Sequence, residues 1–353
     1  MRRFLPLLAA PVLMAAAPAP KPEIAKAVSE VSAERLKATI TKLVGFGTRH
    51  TLSDRTSETR GIGAAERWTA SEFEAMSKAC GGCLEVQVPK TVFEGRRLPG
   101  PTAIGAILAI QKGTSDPNRV IVISGHIDSR VSDPMNATAD APGANDDGSG
   151  TAAVIEAARV LSKYKFPATL VFAVLEGEEQ GLYGGRVLAA FARERGWVVE
   201  ANLNNDIVGN THGSSGAHDD KHVRVFSEGT KTLETPEQAS QRRYNGGEVD
   251  SPSRNVARFL DGIADAYVKD LDVVMVYRTD RFGRGGDQTE MLNAGFPAVR
   301  VTEAAENYDR QHQDLRTENG RAYGDVLEGV DFPYLAKVKS TPSRNASAVS
   351  TAA

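Results

Sequence analysis

The 353-residue sequence predicts an α/β fold with a mostly parallel, mixed central sheet and helices on both faces. Three observations carry the prediction. Apolar strand-like runs alternate with helical patterns from about residue 103 to residue 303, and that order gives parallel strands joined by crossover helices. The run RVIVIS (119–124) is apolar without alternation, as in strands covered on both faces. Acidic residues and histidines follow the ends of several runs, where α/β folds place their active groups.

The elements follow in order. MRRFLPLLAAPVLMAAAPAP (1–20) has a doubly basic start, an apolar stretch broken by Pro6 and Pro11, and small residues beyond it, the pattern of a cleaved secretory signal. The two prolines and the alanines argue against a stable spanning helix, and no later segment has spanning length. Ile24, Val28, Val31, Leu36, Ile40 and Leu43 recur at helical spacing and predict one or two outer helices. A loop (45–54) and a helix (63–79) follow. Cys80 and Cys83 are the two cysteines of the chain. In an oxidising compartment they make a local disulfide, and C-x-x-C is also the spacing of redox motifs and of half a zinc knuckle.

Residues 103–111 and 119–126 read as strands. After them come a helix to about Tyr164, a strand (168–176), a helix from Gly181 and a strand (198–206). The stretch 210–253 is richer in Gly, Ser, Glu and His and reads as loops around a short strand (222–228). A helix (255–270) and strands at 272–277 and 297–303 complete the pattern. The expected organisation is a signal peptide (1–20), a single domain (21–340) and a small, polar, disordered tail (341–353).

With 42 basic and 45 acidic residues the net charge is -3, so bulk electrostatics favours neither nucleic acid nor an anionic membrane surface as a partner. The oligomeric state is not legible. Export implies a periplasmic or extracellular location.

Strand ends supply the chemistry. GHIDS (125–129) contributes His126 and Asp128, APGANDDGSG (141–150) places Asp146 and Asp147 before a helix, EGEEQG (176–181) contributes Glu178 and Glu179, and NND (204–206) contributes Asp206. His312 follows the last strand. His126, Asp146, Glu179, Asp206 and His312 form a mixed nitrogen and oxygen set, suited to zinc or a similar divalent ion and too acidic for a thiolate structural site. Two cations fit better than one, because carboxylates gathered without metal repel and take up protons.

These segments resemble, in order and spacing, the secreted co-catalytic zinc aminopeptidases of the bacterial leucyl aminopeptidase type, over about residues 49–316. The resemblance implies a zinc-exopeptidase-like sheet and two Zn2+ ions. It implies that Asp146 bridges them, that His126 and Asp206 complete one site, and that Glu179 and His312 complete the other. It makes Glu178 the general base, taking a proton from the attacking water and passing it to the leaving amine. Asp147 is left as a helix cap, and Asp128, two residues beyond His126, as the partner of the second imidazole nitrogen. RGGDQTEMLNAGFP (284–297) resembles a stretch near the family's substrate pocket and suggests Asp287 as a substrate or supporting residue. Gln288 there replaces the usual His, and Met291 a usual aromatic. His50, His212, His218 and His222 are read as solvated.

The function implied is an exported metallo-aminopeptidase that hydrolyses N-terminal residues from peptides with a metal-activated water. The alternatives are a single-zinc glutaminyl cyclase-like acyltransferase and a zinc carboxypeptidase.

Overall fold

Burial along the central strands is nearly continuous, on both faces. In the computed structural model, which describes residues 21–340 apart from 229, 231–233 and 282–283, the apolar runs join in one sheet. Its strands are β1 (Glu85–Gln87), β2 (Lys90–Gly95), β3 (Leu98–Gln111), β4 (Asp116–His126), β5 (Ala168–Leu175), β6 (Val198–Asn205), β7 (His222–Phe226), β8 (Asp272–Val276) and β9 (Ala298–Glu303). They lie in the order β1-β3-β5-β4-β6-β9-β7-β8, with β2 also on β3. The centre, β5-β4-β6-β9, is parallel. β3 runs antiparallel to β5 on one flank, and the parallel pair β7-β8 runs antiparallel to β9 on the other. The sheet is therefore mixed, as the sequence predicts.

The helices are α1 (Pro22–Ser29), α2 (Ala33–Val44), α3 (Gly61–Ala79), α4 (Gly148–Leu161), α5 (Glu178–Gly181), α6 (Tyr183–Glu194), α7 (Pro236–Asn245), α8 (Gly247–Asp250), α9 (Pro252–Tyr267) and α10 (Gln288–Asn293). Successive side chains of a strand point to opposite faces, and the two cores divide accordingly. Ile121 and Ile123 of β4 with Leu170, Phe172 and Val174 of β5 face a core built with α2, α3, α4 and α9. Val120, Val122, Val171, Ala173 and Leu175 face a second core with Val187 and Leu188 of α6 and Met291 and Leu292 of α10. Helices cover both faces.

Two local features differ from the sequence reading. The helix after β5 is split: α5 is a single turn, and Leu182, left-handed at φ 61°, separates it from α6. Residues 210–253 hold α7 and α8 where loops were expected. α7 buries no residue, so it leaves no apolar periodicity to read. It is defined instead by a capping box between Thr235 and Gln238 and by the Arg242–Glu234 pair.

Cys80 and Cys83 are joined in a disulfide at the turn after α3. No helix among the described residues is long and apolar enough to cross a membrane. The expected signal peptide (1–20) and tail (341–353) lie outside the described residues.

Candidate metal centre

All the sequence-predicted ligands meet at the carboxyl edge of the parallel strands. His126 is the last residue of β4, Asp206 directly follows β6, and Glu179 lies in the turn of α5 just beyond β5. Asp146 precedes α4, and His312 sits in the loop after β9 with a left-handed backbone at φ 54°.

The donor atoms form two trios, each with its atoms within 4.8 Å of one another: His126, Asp146 and Asp206, and Asp146, Glu179 and His312. Asp146 belongs to both. Its Oδ1 is 3.4 Å from His126 Nε2 and its Oδ2 is 2.9 Å from His312 Nε2. His126 Nε2 is 3.8 Å from Asp206 Oδ1, and His312 Nε2 is 2.8 Å from Glu179 Oε1. That Glu179 oxygen is buried with no hydrogen-bond donor aligned to it, as a carboxylate oxygen reserved for a cation would be. Two nitrogens, three carboxylates and an unsatisfied oxygen fit a pair of divalent ions.

The charges have the pattern of a site that needs cations. Burial alone would lower the His126 pKa, but Asp147, Glu178 and their neighbours raise it well above the usual imidazole range. His312 is likewise raised to about 9, because Glu179 and Asp146 outweigh burial. Burial pushes the Asp146 carboxyl up, yet the two imidazoles hold it well below its ordinary range. Burial, with Glu179, Asp206 and Asp287 nearby, drives Glu178 well above its ordinary value despite His126.

Asp147 does cap α4, with Oδ1 accepting the Gly150 N–H at 2.8 Å. The same side chain also accepts from His126 N at 3.0 Å and Ile207 N at 3.2 Å. One carboxylate thus ties together the end of β4, the start of α4 and the residue after Asp206. The adjacent acids in the glycine-rich loop divide the work: Asp146 faces the trios and Asp147 fastens the three segments that carry them.

Asp128 does more than the sequence suggests. His126 Nδ1 meets the main-chain oxygen of Asp128 at 3.1 Å and its carboxylate at 3.5 Å. The carboxylate accepts the Glu178 N–H at 3.2 Å, the Glu179 N–H at 3.1 Å and the Thr51 hydroxyl at 2.9 Å. It therefore anchors the turn bearing Glu178 and Glu179 to the strand bearing His126.

The trios open into a cavity of about 300 Å3 whose lining includes Asp146, Glu178, Glu179, Asp206 and His312. Asp287 does not line it. It is fully buried, with Oδ1 accepting the Gly185 N–H of α6 at 3.0 Å, and burial raises its pKa to about 7. That position supports the start of α6.

Several site residues are absent from the sequence reading. Arg49, fully buried, donates to the carbonyls of Ile127 (2.7 Å), Pro142 (2.5 Å), Gly143 (2.8 Å) and Leu43 (3.2 Å), and so braces the loop leading to Asp146. Asp325 accepts the main-chain N–H of Asn145 at 2.9 Å and of Asp146 at 2.7 Å. Arg130 donates to Glu179 Oε2 and to His312 Nδ1, both at 2.7 Å, and Arg300 pairs with Asp206 at 2.9 Å. His50, read as solvated, is buried: Nδ1 accepts from Leu52 N at 3.1 Å and Nε2 meets Pro134 O at 2.9 Å.

The family profile described as peptidase family M28 matches residues 106–330. A probable zinc metalloprotease of Leptosphaeria maculans is 48% identical over 322 residues, covering 91% of this chain and 75% of that protein. Among solved structures, the LapA aminopeptidase of Legionella pneumophila superposes with a TM-score of 0.65 at 18% identity, over 93% of this chain and 75% of its own. A glutaminyl cyclase of Bacteroides thetaiotaomicron superposes with a TM-score of 0.60 at 15% identity, over 89% of this chain and 97% of its own. At those identities the two structures bear on the fold alone.

Proposed function

The chain belongs to peptidase family M28, a zinc metallopeptidase family by its relatives' names, and from that premise we propose that it is an exported di-zinc aminopeptidase removing N-terminal residues from peptides. The observation that carries this reading is the pair of donor trios sharing Asp146. In it, His126 and Asp206 would hold one zinc and Glu179 and His312 the other, with Asp146 common to the two trios. Bound there, zinc would supply an acidified water and polarise the scissile carbonyl.

The chain's own residues do the rest. Glu178 lines the cavity and is the general base: its carboxylate takes a proton from the attacking water and delivers it to the departing amine. The burial that raises its pKa favours accepting that proton. Asp128 keeps the Glu178 turn in register with the strand that ends at His126. Residues 21–340 make up the catalytic unit. The leader-like start and the Cys80–Cys83 disulfide both support a periplasmic or extracellular destination.

The test is a set of matched peptides with free, acetylated and Gln-first N-termini, incubated with the zinc-loaded chain and read by mass. Loss of one N-terminal residue from the free peptides alone is the expected result. Cleavage of the acetylated peptides would indicate a carboxypeptidase, and loss of ammonia without chain cleavage a cyclase. Either would replace the reading.

A further inference from the structure

Among the described residues, the cavity that holds the metal-site carboxylates is also lined by four guanidinium groups, those of Arg97, Arg130, Arg284 and Arg300. Two are matched. Arg130 pairs with Glu179, and Arg300 pairs with Asp206 and Asp280. Arg97 and Arg284 make no ion pair among the described residues, which include every Asp and Glu of the chain. Each is nevertheless held in place. Arg97 Nη1 donates to the main-chain oxygen of Glu179 at 2.7 Å, and Arg284 Nη2 donates to Gln311 Oε1 at 2.9 Å.

The anchors matter because Glu179 is a predicted ligand and Gln311 precedes another, His312. The two free charges therefore flank the Asp146–Glu179–His312 trio from opposite sides in sequence, one on the strand β3 side and one on the loop before α10. A guanidinium has five N–H donors in a planar fork, so each arginine keeps donors to spare after its anchoring bond.

The charge count favours an anion. Four carboxylates (Asp146, Glu178, Glu179 and Asp206) balance four guanidiniums on the lining, and every divalent cation bound adds two positive charges. Among the described residues, Leu182 is the one large apolar side chain in that lining. A pocket for an aliphatic side chain is predominantly apolar, and this one is not.

We infer that the cavity selects substrates carrying a carboxylate, which Arg97 and Arg284 bind by charge-assisted hydrogen bonds. This deepens the aminopeptidase reading and rests on it. The carboxylate is the side chain of an N-terminal Glu or Asp, or the free C-terminal carboxylate of a dipeptide. The recognition chemistry is the same, and the substrates tell the two apart.

The experiment compares four free-amine substrates on the zinc-loaded chain: Glu-Ala-amide, Gln-Ala-amide, Leu-Ala and Leu-Ala-amide. A charge-assisted bidentate contact makes the acidic member of a pair better by roughly tenfold or more in kcat/KM, mainly through KM. Preference for Glu over Gln identifies the side chain, and preference for Leu-Ala over its amide identifies the terminus. Arg97→Gln and Arg284→Gln should each shrink whichever ratio is found, and the double variant should bring it close to one. Calorimetric binding of the same pairs gives the same ratio without turnover. Equal use of both members of both pairs, or a ratio that survives the double variant, overturns the inference while leaving the aminopeptidase reading intact. Failure to cut all four substrates refutes the aminopeptidase reading instead, and calorimetry then decides the anion preference.

Discussion

Replacing Asp146 by Ala removes the one side chain common to both trios, so it tests the arrangement more sharply than loss of any other ligand. His126→Ala and His312→Ala each take a donor from a single trio. The expected zinc content is therefore two per chain in the parent, one in either histidine variant and none in Asp146→Ala. Stability should follow the same ladder. A ligand present at a hundred times its Kd stabilises the folded state by about 2.7 kcal/mol per site, and one kcal/mol moves the Tm of a domain this large by roughly 2 °C. Each histidine variant should then melt about 5 °C below the zinc-loaded parent, and Asp146→Ala about 10 °C below. After chelation all four proteins should converge, because the difference lies in the bound ions. Elemental analysis alongside scanning fluorimetry reads both ladders. Two zincs retained in Asp146→Ala, or both lost from either histidine variant, would refute the shared-carboxylate arrangement.

Three further outcomes are expected. Glu178→Gln should keep its zinc and lose about 100-fold to 10,000-fold in rate, the usual scale for a general base, and near-parental turnover would remove Glu178 from the mechanism. Arg49→Met leaves four carbonyls without a buried donor and should cost at least about 3 kcal/mol in denaturant unfolding, with weaker zinc retention; a loss below about 1 kcal/mol would show that the loop before Asp146 is not held by that guanidinium. Lys339, fully buried, has its pKa lowered by burial to about 7 although Glu156 opposes the shift. The unfolded chain therefore binds one proton more than the folded chain between about pH 7 and pH 10.5, and parental stability falls as pH drops through that window. Lys339→Met should be more stable than the parent at pH 7, with the advantage shrinking by about 1.4 kcal/mol per pH unit towards pH 10; a difference independent of pH would contradict the shift.

The parts of the fold legible in the sequence are those where burial repeats along the chain. β4 and β5 are apolar on both faces, and α9 keeps Ala257, Leu260 and Ala264 on its inner side, so each leaves a periodic trace. α7 buries nothing and leaves none. The site divides in the same way. His126, Asp146, Glu179 and Asp206 sit at or just after recognisable strand ends or before a glycine-rich helix start, and their residue types announce metal chemistry. Arg97, Arg130, Arg284 and Arg300 come from four separate segments, and nothing local separates a cavity arginine from a solvated one. Arg49 and Asp325 carry no sequence signal, and His50 reads as solvated, for a related reason: a single polar residue in a loop does not reveal that the loop is folded inward. Asp128 was placed beside His126 by its two-residue spacing, but its grip on the Glu178 and Glu179 amides depends on β4 and β5 being neighbours, which the order of the sequence alone does not state.

The five predicted metal-binding side chains come from segments spread between residues 126 and 312, and β4, β5, β6 and β9 must stand side by side before those side chains meet. No short piece of the chain holds three of them, so a metal ion has nothing to organise in the nascent polypeptide, unlike a zinc finger whose ligands lie within one hairpin and helix. Long-range strand pairing closes large loops and is slow to form, which places metal capture late, after the sheet exists. The choice of ion is then made by a finished structure, from the metals of the compartment in which folding ends.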